Sequence, residues 1–311
     1  MNAKTHITKL ALTCIYALAL LAAPVIYGKC PILSDQVMAQ AQLWSAKPLV
    51  GQTYKAPRWY VQDGDSLRLG GGHRLRLGQI NTTEMASKKS PPQAYAQQGK
   101  AQLNQILNQH QEIYVQLMPA IKDHYGRWLV QLYDGAGRSA EEGLVAKGLA
   151  YVISMNEQGA KRCLWQQETR AQRLGLGLWE RPVADTLNSD TSSISAVHDA
   201  GTLTFATGGF MRMGGVVTEI SESKRDWYIY LGSLGGAKSQ VAVKISKKVL
   251  EASELNISTA KQLKKWIGQS IVARGWLTWR KLSKKQRKKG FKPGVMTLYH
   301  LDMLEQAAFL K

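Results

Sequence analysis

Apolar and polar residues alternate through the middle of the chain in the way that β-strands require. Residues 59–69 predict a strand with a polar break at 62–65, a run of glycines predicts a tight turn, and residues 73–77 predict the returning strand. On the returning strand, Arg74 and Arg76 fall on one face and two leucines fall on the other. The pattern therefore predicts a β-hairpin with two arginines on one face.

More strands and helices follow this hairpin. Helical spacing predicts helices at 92–108 and 165–174, and alternation predicts strands at 113–117 and 128–133. A serine and a glutamate with capping-box spacing at 139–142 open one more helix. Strands followed by helices predict a mainly β, α+β fold, in which a small barrel has helices packed on it.

The last third of the chain returns to strands. Its predicted strands are 213–220, 227–231, 241–245, 271–279 and 296–304, and its predicted helix is 258–266. Five strands with a helix before the fourth is the order of an oligonucleotide-binding (OB) barrel. We therefore predict a second small β-barrel, which resembles the OB-type domains of nucleic-acid-binding proteins.

The domain organisation follows from these patterns. Residues 46–183 form the predicted first domain, and residues 207–311 form the second. The stretch between them, 184–206, is rich in Ser, Thr, Asp and Asn without periodicity, which predicts a linker. Residues 1–45 are expected to lie outside the fold.

The amino terminus has the pattern of an export signal. Two lysines precede an apolar run at 10–28, and no acidic residue occurs before Asp35. The run is either a cleaved signal peptide or a membrane anchor, and both place the rest of the chain outside the cytoplasm. Export makes Cys30 and Cys163 a candidate disulfide. The alternative is that Cys163 is buried as a small apolar side chain.

The charge of the chain points to a polyanionic partner. Among 311 residues, 41 Lys and Arg stand against 22 Asp and Glu, a net charge of +19. The absence of CxxC and HExxH spacings excludes a cysteine-zinc module and a zincin-type protease. Residues 207–311 hold 20 of the cations and 7 of the acids, so most of the excess lies in the second predicted domain.

Residues suited to phosphate chemistry fall at the ends of the predicted strands. They form three groups, Asp63–Asp65, Asn81–Glu84 and Asp123–Arg127. Carboxylate and amide oxygens can hold a hard cation, and a pair of arginines can neutralise a phosphate. A nearby carboxylate can take a proton from water. Together these groups are what the hydrolysis of a phosphodiester requires.

The order of these groups resembles the staphylococcal nuclease (thermonuclease) family over residues 59–181. Five segments carry the resemblance: Val61-Gln62-Asp63-Gly64-Asp65-Ser66, Arg76-Leu77-Gly78-Gln79-Ile80-Asn81-Thr82-Thr83-Glu84, Asp123-His124-Tyr125-Gly126-Arg127, Leu144-Val145-Ala146-Lys147-Gly148-Leu149-Ala150 and Gly175-Leu176-Gly177-Leu178-Trp179. The resemblance implies a five-stranded OB-type barrel with three helices and a metal-dependent endonuclease activity.

The resemblance also implies a role for particular residues. Asp65 matches the carboxylate ligand of a Ca²⁺ ion, and Thr82 matches the residue that offers its backbone carbonyl to the ion. Glu84 matches the acid that orients or deprotonates the attacking water. Arg76 and Arg127 match the two arginines that bind the scissile phosphate.

Two residues depart from the family pattern of Asp-x-Pro-Glu. Asn81 stands where the family has a charged metal ligand. Its amide oxygen can still coordinate Ca²⁺, but the site loses one negative charge and is expected to bind metal more weakly. Thr83 replaces the proline that stiffens the family's loop.

A dense basic run lies between the fourth and fifth strands of the second barrel, in the connection that OB folds use to hold oligonucleotides. Its cations are Arg280, Lys281, Lys284, Lys285, Arg287, Lys288, Lys289 and Lys292. Trp279 at its start is a candidate for stacking on bases. The alternatives are a solvated loop and a surface that meets anionic membranes.

We therefore expect an exported, metal-dependent nuclease that acts on DNA or RNA and holds it with a basic second domain. One alternative is a nucleic-acid-binding protein on a nuclease fold whose catalysis has weakened, which Asn81 would explain. The other is an envelope-anchored protein that binds anionic surfaces.

Overall fold

The computed structural model describes residues 28–45, 47–87, 91–155, 159–180, 197–205, 208–234, 238–253, 255, 257–288 and 291–307. All but the last residue of the predicted export run at 10–28 and most of the predicted linker lie outside these ranges. No helix within them is long and apolar enough to cross a membrane.

The first half of the chain builds a seven-stranded sheet with helices packed on it. Its strands are β1 Gln42–Leu43, β2 Thr53–Ala56, β3 Trp59–Val61, β4 Ser66–Leu69, β5 Arg74–Leu77, β7 Ile113–Lys122 and β8 Trp128–Tyr133, and a separate pair is formed by β6 Ile80–Asn81 and β9 Tyr151–Val152. The helices are α1 Asp35–Gln40, α2 Ala96–Leu107, α3 Ala140–Val145 and α4 Arg162–Leu174, followed by a 3₁₀ turn at Gly177–Trp179.

β2 and β3 act as one bent strand that closes this sheet into a barrel. β2 pairs with β7 and β3 pairs with β4, yet only Pro57 and Arg58 separate β2 from β3. Proline has no N–H for a ladder hydrogen bond, so the strand breaks there and turns from one neighbour to the other. The remaining order, β7-β8-β5-β4, completes a five-stranded barrel, as the sequence predicts.

The predicted hairpin is confirmed. β3 and β4 flank the break at 62–65, and β4 pairs with β5. Gly71 and Gly72 in the turn have φ of 85°, a backbone conformation that other residues rarely adopt. Leu75 and Leu77 are fully buried in the barrel core, together with Leu103 of α2.

The segment that precedes β2 is part of the fold, which corrects the boundary expected at residue 45. Cys30 is buried in the first core and forms a disulfide with Cys163 of α4, with Cα atoms 5.1 Å apart. The backbone of Leu33 also donates to the carbonyl of Gly137 at 2.9 Å. The fold thus includes Cys30 and the residues after it, because the disulfide ties this segment to α4.

The second half of the chain builds another seven-stranded sheet. Its strands are β10 Val197–Asp199, β11 Gly209–Glu222, β12 Asp226–Gly232, β13 Lys238–Ser246, β14 Ser270–Trp279, β15 Gly294–Leu298 and β16 Leu304–Ala307. Its helices are α5 Lys247–Glu251, α6 Ala260–Lys264 and α7 Lys284–Lys288, with a 3₁₀ turn at Leu301–Met303. Because β11 also pairs with β14, the order β11-β12-β13-β15-β14 closes on itself. The predicted second barrel is therefore confirmed.

Three details of the second barrel differ from the sequence pattern. The strand predicted at 296–304 is split into β15 and β16, because a 3₁₀ turn intervenes. Within the predicted linker, β10 pairs with β11 and the side chain of Leu203 is buried in the second core. The basic run contains a helix, α7, whose side chains all face solvent or are only partly covered.

The outer face of β11 and β14 packs on the first barrel. Arg274 of β14 is 1% exposed, and its guanidinium donates to Glu168 of α4 at 2.6 Å and to the carbonyl of Val152 at 3.0 Å. It also donates to Glu305 of β16 at 2.6 Å. A buried arginine with two carboxylates thus joins the barrels.

Candidate active site

The break between β3 and β4 positions Asp65 through a tight turn. Asp63 accepts hydrogen bonds from the backbone of Asp65 at 3.1 Å and from the hydroxyl of Ser66 at 2.7 Å. A Cβ on Gly64 would lie 2.7 Å from the side chain of Thr82. The glycine therefore allows the loop that carries Thr82 to approach this turn.

Asp65 is a buried carboxylate that contacts two of the other predicted residues. Its Oδ2 accepts a hydrogen bond from the backbone of Thr82 at 2.7 Å and lies 3.1 Å from Nη2 of Arg76. Burial raises the pKa of Asp65 to about 7 against the opposing charge of Arg76, and the carboxylates of Asp63 and Glu84 raise it further. Burial therefore disfavours the charged form of this carboxylate more than Arg76 favours it.

Arg76 is held inside the protein. It is 2% exposed, and its Nη1 donates to the carbonyl of Ile80 at 2.8 Å and to that of Leu77. Its Nη2 donates to the amide oxygen of Asn81 at 2.9 Å. Both terminal nitrogens thus have protein acceptors, so Arg76 contributes charge and holds Asp65 and Asn81 in place.

The loop from Asn81 to Glu84 is braced by the segment before α2. The hydroxyl of buried Thr83 donates to the carbonyl of Ala94 at 2.8 Å, which supplies a restraint where the family has proline. The backbone N–H of Glu84 donates to the side-chain oxygen of Gln93 at 2.8 Å, and the carbonyl of Glu84 accepts from the backbone N–H of Gln93 at 2.9 Å. The Glu84 carboxylate is thereby placed by a loop that is fixed at Thr83 and at the backbone of Glu84 itself.

Glu84 is exposed to solvent, and its carboxylate interacts electrostatically with both predicted arginines. Partial burial and the charge of Asp63 raise its pKa, whereas Arg76 and Arg127 oppose that rise. A carboxylate with a raised pKa is a better proton acceptor than an ordinary one. The charges of Arg76 and Arg127 thus both act on the Glu84 carboxylate.

Arg127 is oriented before any ligand arrives. Its Nε donates to Oδ2 of Asp123 at 2.7 Å, and Oδ1 of Asp123 accepts from the backbones of Tyr125 and Arg127 at 2.9 Å each. Within the described ranges, neither Nη group of Arg127 has a protein acceptor. These two groups are therefore available for bidentate contact with a phosphate.

The oxygens of Asp65, Asn81 and Thr82 are the donors that could hold a metal. Ca²⁺ binds oxygen ligands, so these three residues offer the type of ligand atom that the ion requires. Burial raises the pKa of Asp65 although Arg76 is beside it, and a divalent cation bound there would favour the charged form of this carboxylate. Because Asn81 is neutral, only one of the three carries charge, and no cluster of three His, Cys, Asp or Glu side chains suited to a metal occurs in the described part of the chain.

Most residues of this site lie in a segment that matches a known family model. Residues 74–181 match the model of the family described as staphylococcal nuclease homologues. This part of the chain is similar to that family, as the motifs predict, and the match includes Arg76, Arg127, Glu84 and the loop from Asn81, whereas Asp65 precedes it. No curated protein matches the chain.

Three residues of the site were given no role of their own from the sequence, although two of them lie in the predicted groups. Asp63 and Asp123 each accept hydrogen bonds from backbone two residues further on, and the turn pattern Asp-x-Asp or Asp-x-Tyr was their only signal. Gln93 had no signal, because its contact with Glu84 depends on how the loop folds back.

The basic run lies on the second barrel, more than 150 residues after Arg127 in the sequence. Lys281, Arg287 and the lysines of α7 face solvent, whereas Lys292 is half-buried and Lys289 lies outside the described residues. Arg280 stacks over the rings of Tyr228 and Phe291 at 5.7 and 5.8 Å. Trp279 packs on the second core and on Phe205, with ring centres 4.7 Å apart. Arg280 and Trp279 therefore anchor the run, and the other described cations are presented to solvent.

Proposed function

We propose that the chain is an exported, metal-dependent nuclease that hydrolyses phosphodiester bonds of DNA or RNA. The observation that carries the proposal is the coupling of the Glu84 carboxylate to Arg76 and Arg127, next to the oxygens of Asp65 and Asn81. A proton acceptor, a phosphate-binding arginine and oxygen donors for a cation thus lie together.

Each group has a role in this chemistry. The free Nη groups of Arg127 bind two phosphate oxygens and neutralise charge that grows as water attacks. Glu84 takes the proton of that water, which its raised pKa favours. Arg76 keeps Asp65 and Asn81 in register with Thr82. Bound Ca²⁺ would supply further stabilisation of phosphate charge.

Export is supported by the disulfide between Cys30 and Cys163. Disulfides persist in oxidising compartments and are rare in the cytosol. The predicted signal peptide or anchor, whose apolar run spans 10–28, agrees with this bond. Since Cys30 belongs to the fold, the mature protein must retain it.

The second barrel is proposed to hold the polyanion. The exposed cations of α7 are carried on a segment that Arg280 and Phe291 fix against the barrel, so they form a defined basic surface. Phosphate contacts of this kind raise affinity without sequence preference.

A cleavage assay tests the proposal. The full chain is incubated with single- and double-stranded DNA and RNA in Ca²⁺, in Mg²⁺ or in EDTA, and products are resolved by length. Internal cleavage that requires a divalent ion is the expected result. Absence of cleavage under every condition would sink the proposal.

A second function remains supported by two observations. Asn81 removes a charge from the donor set, and both terminal nitrogens of Arg76 already have protein acceptors. These favour a nucleic-acid-binding protein with weakened catalysis, which would bind the same substrates without cleaving them. Binding of anionic vesicles in preference to nucleic acid would instead favour the envelope-anchored alternative.

A further inference from the structure

The outer face of the first hairpin carries one row of exposed side chains. Tyr60 pairs with Arg68 across β3 and β4, and Arg68 pairs with Arg74 across β4 and β5. All three point away from the core, because their neighbours Val61, Leu67 and Leu75 are buried. We call Tyr60, Arg68 and Arg74 the hairpin row.

The charges of the hairpin row are not balanced. Arg68 and Arg74 stand directly opposite each other, an arrangement that is destabilising for like charges. In the described part of the chain no carboxylate lies within ion-pair distance of either. Lys100 adds a further cation, with its ammonium 5.6 Å from the ring centre of Tyr60. A fold that keeps such repulsion at its surface is suited to a negatively charged ligand.

The hairpin row runs into the candidate active site. Arg74 and Arg76 lie on the same face of β5, two residues or about 7 Å apart along the strand. Arg74 also donates to the carbonyl of Tyr125 at 2.7 Å, in the loop that carries Arg127. A ligand on the row would thus continue towards Arg127 without leaving the face.

We propose that the hairpin row binds a single-stranded polynucleotide on one side of the scissile phosphate. This inference rests on the proposed nuclease function and adds a substrate surface to it. Arg68 and Arg74 contact successive phosphates, and Tyr60, which is 63% exposed, stacks on an unpaired base. An aromatic ring beside two cations matches a single strand better than a membrane, because every base offers a flat face for stacking.

The test measures binding of a long single-stranded DNA oligonucleotide by the full chain at several salt concentrations. Arg68→Ser should reduce the slope of log affinity against log salt by about 0.7, the share of one phosphate on a single strand. Tyr60→Ala should weaken affinity about tenfold at fixed salt, as the loss of one stacked base does. Arg162→Ser is the matched control, since Arg162 is an exposed arginine on α4, and its slope should equal that of the wild type.

Hydrolysis of a dinucleotide by the wild-type chain reports the proposed function separately. If the wild type cleaves but Arg68→Ser and Tyr60→Ala match it in salt slope, affinity and KM for the long strand, the hairpin row is not a substrate surface. If the wild type neither cleaves the dinucleotide nor the long strand, the proposed function itself fails. The inference would also be overturned if Arg68→Ser and Tyr60→Ala lost binding to phosphatidylserine vesicles while their binding of DNA stayed intact.

Discussion

Arg274→Met tests whether the two barrels depend on their buried ion pair. The substitution keeps the length of the side chain but leaves Glu168 and Glu305 without Arg274, and these two carboxylates are 2% and 8% exposed. Glu305 retains its pair with Arg212, whereas Glu168 keeps only the backbone of Val152 as a described partner. Removal of one member of a buried pair typically costs about 3–5 kcal/mol. We expect the free energy of unfolding to fall by that amount near neutral pH.

The loss of unfolding free energy in Arg274→Met should depend on pH, and the direction of this dependence should show that Glu168 causes it. Burial already raises the pKa of Glu168, and Arg274 opposes that rise, so the variant should have a still higher pKa. A carboxyl whose folded pKa exceeds its unfolded value of about 4.5 destabilises the fold as pH rises between the two values. The variant should therefore lose more stability at pH 8 than at pH 5, by at most about 1.4 kcal/mol per pH unit.

Urea unfolding followed by tryptophan fluorescence provides the measurement. The double variant Arg274→Met with Glu168→Gln is the matched control, because it removes the uncompensated carboxylate and should recover about half of the loss or more. A single variant within about 1 kcal/mol of the wild type, or a loss that is equal at both pH values, would refute the reasoning.

Three further results are expected at other places in the chain. Asn81→Asp should tighten Ca²⁺ binding, because it restores a charge next to Asp65, and calorimetry should show a lower Kd; unchanged affinity would mean that the metal is held elsewhere. Substitution of the three lysines of α7 by serine should flatten the salt dependence of polynucleotide binding by about 2 units if each touches a phosphate, and an unchanged slope would make α7 a solvated helix. Replacing both Cys30 and Cys163 by serine should lower the free energy of unfolding by about 3–5 kcal/mol, since the bond closes a loop of 133 residues; a variant as stable as the wild type would contradict this.

The elements that the sequence predicts well are those whose burial alternates along a strand. Residues 128–133 form β8 with the predicted limits, and 59–77 form the predicted hairpin. Asp65 and Thr82 come into contact as the motif order suggests, because the barrel brings the two strand ends together. Local pattern and motif spacing were sufficient for these features.

The features that could not be predicted depend on contacts between distant parts of the chain. By alternation Arg274 belongs to the outer face of its strand, and only docking of the other barrel buries it. The sequence makes the disulfide between Cys30 and Cys163 a candidate, but Cys30 falls in the segment expected outside the fold, because no local pattern shows that a partner 133 residues away holds this segment on α4. The hydrogen bond from Thr83 to Ala94 likewise restrains the loop where the family has a proline, and no local sequence pattern predicts it.

The roles of Glu84 and Arg127 are the centre of the account, and initial rates of oligonucleotide cleavage in Ca²⁺ test them most directly. Glu84→Gln and Arg127→Ala should each lower the rate by about 10²–10³, as removal of a group that stabilises developing charge does, with an unchanged urea midpoint. Wild-type rates in both variants would contradict the account.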